Sequence, residues 1–242
     1  MFKRKPSIGP LNAEKQTLGE VAGAAHMHFN HFIKAQEQKF VAHQHLLAVM
    51  ARGAAVLGTN CQAGVDIVFP YLYDSTDLED KNVGFIMVQV KNNSKISVPN
   101  ANHFQKMDPF HCGLIDKSDD NSLFPIPIIR IVFALRGNQS KVTYMRYSSP
   151  SKGALLAGLD KCGEPRFTSY DFWCSGIGPN LLQPVGTADQ KWNGLLNKLD
   201  RWDSFYKHSL APDVLRSQFP ASSCDKSHMN RWLSDSWISE RS

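Results

Sequence analysis

No run of about 18 apolar residues occurs in this chain, so its sequence offers no transmembrane helix. Cysteine is sparse and unordered. Cys61, Cys112, Cys162, Cys174 and Cys224 are scattered, odd in number and without a Cys-x-x-Cys spacing. That pattern argues against a disulfide framework and against zinc, and for reduced thiols in an intracellular protein of the nucleus or cytoplasm. No internal repeat is visible. The nearest approach to a phosphate-binding glycine loop is Ser175-Gly176-Ile177-Gly178-Pro179-Asn180. Pro179 interrupts it, and no strand–helix pattern surrounds it. No His-x-x-x-His pair occurs among nine histidines. His28 and His31 would share a helix face, but His26 and His28, or His43 and His45, would point to nearly opposite sides. These five read as ordinary helix residues. The first residues, Met1-Phe2-Lys3-Arg4-Lys5-Pro6, have charge but no apolar core behind them, so a secretory signal is not expected. Lys3-Arg4-Lys5 reads as a solvated end able to touch phosphate or assist nuclear import.

What is present suits a globular protein. The chain has 242 residues, 42% of them hydrophobic, enough for one large domain or one domain with an appendage. A net charge of +5 mildly favours a polyanionic partner. Residues 1–11 form a tail. Residues 12–52 read as helical, with Asn12 as a plausible N-cap, a break near Asn30 or in 34–38, and Gly53 just past the end. Residues 54–57 read as a strand, and a turn over 58–64 leads to a second. The acidic run 74–82 reads as a hairpin-type connection, and 97–110 as a short helix or irregular segment. Strands follow at 125–136 and 141–147.

Residues 148–190 are rich in Gly, Pro and Ser, with weak periodicity. Residues 189–208 carry Trp192, Leu195, Leu196, Leu199 and Trp202 at helical spacing. Short helical segments are expected at 211–219 and 225–238. A helix, three strands, a crossover and two more strands predict an α/β protein. Its mixed central β-sheet is flanked by helices and followed by a mostly helical C-terminal appendage.

Two stretches concentrate the chemistry. Gly64-Val65-Asp66-Ile67-Val68-Phe69-Pro70 and Phe85-Ile86-Met87-Val88-Gln89-Val90-Lys91 each read as a buried strand. Each also carries polar residues that burial penalises unless they are paired or hold a metal. Gln89 and Lys91 are two apart, so they leave the same face of their strand. Asp66 suits a hard divalent cation through oxygen. Gln89 adds a neutral carbonyl oxygen, and the Val90 backbone carbonyl could add a third ligand. Lys91 could orient or deprotonate a water and stabilise charge on a phosphate. A buried Asp–Lys ion pair with Gln89 hydrogen-bonded to it is the structural alternative.

An Asp on one strand and Gln-x-Lys on the next resembles the PD-(D/E)XK nuclease superfamily. The segment Gln62-Ala63-Gly64-Val65-Asp66 is similar to the Gly-x-Asp of its Mrr-like branch, where Gln often precedes the lysine. A GVDIVFP…QVKN core is also similar to that of fungal proteins of no assigned activity. The likeness spans roughly residues 15–150. It implies a restriction-endonuclease-like α/β/α core over 12–150, with 151–242 as a loop-rich and helical extension packed on it. It further implies hydrolysis of nucleic acid, DNA foremost, with Mg²⁺ or Mn²⁺ as cofactor and a homodimer compatible with cutting two strands. The family's further acid on the first helix would be Glu20, in Gly19-Glu20-Val21-Ala22, ahead of Glu37. The implied catalytic set is Asp66, Gln89, Lys91 and Glu20, with Asp66, Gln89, Val90 and Glu20 on the metal. The alternative is a catalytically silent module of the same fold that binds nucleic acid or protein.

Overall fold

The longest apolar runs of the chain become its central strands. A computed structural model describes residues 3–9, 16–35, 43–58, 64–92, 98–115, 123–137, 139–147 and 165–178, with positions 181, 190, 191 and 194. Its strands are β1 (Ala25–His26), β2 (His31–Lys34), β3 (Ala54–Leu57), β4 (Ile67–Tyr73), β5 (Val83–Lys91), β6 (Phe124–Ala134), β7 (Lys141–Tyr144) and β8 (Phe167–Ser175). All lie in one mixed sheet of order β2-β3-β4-β5-β6-β8-β7, with β1 paired to β4. The β3/β4 and β4/β5 pairs are antiparallel, whereas β5/β6 and β6/β8 are parallel. A parallel pair needs a crossover. Between β5 and β6 that crossover carries α3 (Ala101–Lys106).

Each face of the sheet has its own apolar cluster. On one face, Leu46, Val49 and Met50 of α2 (His43–Ala51) and Phe104 of α3 pack against Phe85, Met87, Val132 and Trp173. On the other, Leu18 and Val21 of α1 (Leu18–Ala24) pack against Tyr170, Phe172 and Cys174. The alternation of side chains along β8 sends 170, 172 and 174 one way and 171 and 173 the other. The expected mixed α/β architecture is therefore the observed one. Gly53, at a φ of 61°, ends the turn after α2 in the left-handed region that glycine tolerates.

Several elements differ from the sequence expectation. Residues 12–52 are not helical throughout, because β1 and β2 lie between α1 and α2. His26 and His31 are thus strand residues. Asn12 lies outside the described residues, and the N-cap of α1 is Thr17. The segment 167–175, expected to be irregular, is β8 and lies between β6 and β7. The α/β unit therefore continues past residue 150. The chain divides into units Met1–Pro184 and Val185–Ser242. In the second, the described positions 190, 191 and 194 are helical. The remainder of the expected C-terminal helices lies outside the described residues. No helix among the described residues is long and apolar enough to cross a membrane.

β8 is held by a buried charge pair. Arg130 Nε donates to Asp171 Oδ1 at 2.7 Å and Arg130 Nη2 to Asp171 Oδ2 at 2.6 Å. Side-chain exposure is 1% for the arginine and 0% for the aspartate. Tyr147 OH donates to the same carboxylate at 2.9 Å. Removing one member of such a pair leaves the other charged and unpaired in the core. Asp171→Ala should therefore cost about 3–5 kcal/mol of unfolding free energy in urea titrations. A loss below about 1 kcal/mol, the scale of exposed pairs, would contradict this reading.

Candidate functional site

Asp66 stands just before β4, one residue ahead of the last registered pair with β5, Ile67–Val88. Its amide donates to Val88 O at 2.8 Å, and its carbonyl accepts from the Gly58 amide at 2.7 Å. The carboxylate is held as well. Val90 N–H donates to Asp66 Oδ2 at 2.5 Å. The acid of one strand is thereby fixed against the Gln89–Lys91 end of the next. Val90 takes part through its amide.

Gln89 and Lys91 lie on the face that carries Phe85 and Met87, under α2 and α3. Gln89 is 1% exposed, yet its Oε1 has no hydrogen-bond partner among the described residues. A buried amide oxygen left unpaired costs about 1–3 kcal/mol, so such an atom calls for a water, an ion or a ligand. Lys91 is half-buried. Burial pushes its ammonium below the usual lysine range, the Asp66 carboxylate works against that shift, and Lys106 adds to it.

The registers β5/β6 and β6/β8 extend this row. Gln89 is paired with Val132, and Val132 with Trp173. Trp173 is fully buried, and its Nε1 likewise has no partner among the described residues. Above it lies His103 of α3, with ring centroids 5.4 Å apart. Burial, then Lys91 and Lys106, push His103 below the usual histidine range. Both Lys91 and Lys106 therefore act on His103, and Asp66 on Lys91. The end of α3 is seated by a glycine. Gly64 has a φ of 90°, and a Cβ there would overlap the Lys106 carbonyl oxygen.

The structure thus brings Asp66, Gln89, Val90 and Lys91 together. It does not bring Glu20 to them. Glu20 sits on α1, against the opposite face of the sheet. There its Oε2 accepts from Thr17 N at 2.6 Å, its amide donates to Thr17 Oγ1 at 3.4 Å, and the capping box holds its carboxyl below the usual range. Glu37, the other candidate, lies outside the described residues. Lys106 and Trp173 were not singled out from sequence.

Among the described residues, no group of three or more His, Cys, Asp or Glu could share a metal ion. The donors present are one carboxylate, Asp66, and one orphaned amide oxygen, Gln89. Mg²⁺ commonly keeps several waters and takes only one or two protein carboxylates, so this donor set fits it, although with little negative charge.

Two outcomes follow from this geometry. Gly64→Ala should lose about 1–3 kcal/mol from backbone strain alone. The clash with Lys106 adds to that loss, read as a lower urea midpoint. The second concerns pH. His103 has a depressed pKa in the folded state and one near 6.5 when unfolded. As pH falls, the unfolded chain takes the proton first, so stability is lost. His103→Asn should therefore lose less stability than wild type between about pH 7.5 and pH 5.5, the range in which histidine titrates. Parallel curves for the two proteins would remove His103 from the half-buried position described. Compared with family models, curated proteins and solved structures, the chain matches none.

Proposed function

We propose that this protein is a metal-dependent nuclease with a PD-(D/E)XK-type site that hydrolyses phosphodiesters of nucleic acid, DNA foremost. One observation carries the reading. The Asp66 carboxylate is clamped by the Val90 amide, beside Gln89 and Lys91. The element order supports it. The helix α2, the antiparallel strands β3, β4 and β5, the crossover helix α3 and the parallel strand β6 follow the order expected of a restriction-endonuclease-like core.

Asp66 and Gln89 Oε1 would hold Mg²⁺ or Mn²⁺, with the Val90 carbonyl as a further ligand. The bound ion would polarise the phosphoryl oxygen and acidify a water. Lys91 orients the attacking water and offsets charge building on the phosphate. Burial beside the ammonium lowers the local dielectric, which strengthens both effects. With Glu20 on the far face, Asp66 is the site's only carboxylate among the described residues. The cysteines Cys112 and Cys174, not joined in a disulfide, accord with an intracellular place, in the nucleus or cytoplasm. A homodimer would let two such sites cut both strands.

The test is cleavage of supercoiled plasmid and single-stranded oligonucleotides with Mg²⁺ or Mn²⁺. Wild type should cleave. Asp66→Ala and Lys91→Ala, folded by circular dichroism, should fall by about a hundredfold or more. Undiminished cleavage by either variant would sink the assigned site. The scarcity of negative charge favours a second reading, a silent module of the same fold that binds nucleic acid or protein. Calorimetric titration with Mn²⁺ separates the two, because a silent module shows no saturable site.

A further inference from the structure

We propose that Lys106 and His103 of α3, together with Lys91 of β5, form a phosphate subsite that takes a nucleic-acid phosphate without needing a metal ion. This rests on the nuclease-fold reading for its ligand, nucleic acid, but not for the subsite itself.

Three observations carry it. The first is placement. The close approach of Gly64 to the Lys106 carbonyl fixes the end of α3 against a residue two positions before Asp66 in sequence. The neighbouring turn of α3 rests its His103 ring on Trp173, which shares a sheet row with Gln89. The second is charge. Lys106 is near enough to disfavour the Lys91 ammonium, while Asp66 is the acid acting on Lys91. Two ammoniums against one carboxylate leave positive charge in excess, the Lys91 end half-buried and the Lys106 end exposed. A divalent cation held by Asp66 would raise that excess further. Such an arrangement is relieved by an anion, and a phosphate group is the anion this fold would meet. The third is hydrogen-bonding capacity. Trp173 Nε1, fully buried, is a donor without a partner among the described residues. Its ring lies against that of His103, 5.4 Å between centroids. Lys106 itself is exposed, so a ligand can reach it.

Titration of isotope-labelled full-length protein with inorganic phosphate, in EDTA and at constant ionic strength, tests the subsite. Saturable NMR shifts are expected at His103 and Lys106. Affinity should fall about tenfold in Lys106→Gln and recover in Lys106→Arg, the loss of one charge-assisted contact. His103→Asn should weaken binding as well. A short oligodeoxynucleotide should compete with the phosphate. No saturable shift, or equal affinity in wild type and Lys106→Gln, overturns the subsite. Phosphate binding that the oligonucleotide leaves untouched overturns its assignment to nucleic acid. Saturable binding in a protein that never cleaves DNA keeps the subsite and removes the nuclease. Plasmid cleavage at the wild-type rate by Lys106→Gln, with unchanged phosphate affinity, does the reverse.

Discussion

Arg130 and Asp171 meet across the neighbouring strands β6 and β8, and both β8 and α3 take their positions from that contact. Every arm of the guanidinium is used. Nε and Nη2 hold Asp171, Nη2 also reaches Ser169 Oγ at 3.2 Å, and Nη1 donates to Phe104 O of α3 at 2.8 Å. The Arg130 charge also faces the rings of Phe104 and Phe167. A buried ion pair gives little net stability over an apolar pair of equal volume. It does fix geometry, because a planar fork satisfies its partners in few positions. The arginine therefore sets the register of β8 against β6 and the height of α3 above the sheet. His103 and Lys106 ride on that helix.

The same aspartate, through its backbone, gathers in the N-terminal segment. The Asp171 amide donates to Ser7 Oγ at 2.9 Å, and Ser7 Oγ donates to Met145 O at 2.8 Å. Ser7 N reaches Ser169 O at 2.7 Å, and Ser169 N returns a bond to Ile8 O at 2.8 Å. Residues expected to form a loose tail thus cover the part of β8 that β7 does not reach. This leaves few backbone groups of a buried strand without partners. It also explains how a strand bearing Thr168, Ser169 and Asp171 can be buried at all.

At the candidate site the balance of charge matters more than any single group. One carboxylate, held by a backbone amide, acts on the Lys91 ammonium, while Lys91 and Lys106 disfavour the His103 cation. Two buried polar atoms without partners among the described residues, Gln89 Oε1 and Trp173 Nε1, lie on one row of one face. An acceptor and a donor thus stand ready where positive charge is in excess.

Local pattern was enough for some of this. The strands at 54–57, 67–73, 83–91 and 124–134, the connection after Tyr73 and the stop at Gly53 follow from apolar runs and turn residues that interact with near neighbours. So does the shared face of Gln89 and Lys91, because strand alternation is intrinsic to the backbone. β2 was not legible, since His31–Lys34 becomes a strand only by parallel pairing with β3, brought there by α2. β8 was hidden for a related reason. Its buried polar residues are tolerated only because Arg130, Tyr147 and Ser7, distant in sequence, satisfy them. Glu20 shows the limit most plainly. Its local motif determined a helix start, while the face on which that helix packs was decided by long-range burial of Leu18 and Val21. The chain alone thus determined which residues could do chemistry and how neighbours on one strand align. Tertiary packing decided which of them meet, because contacts between distant segments depend on the burial and pairing of the whole sheet.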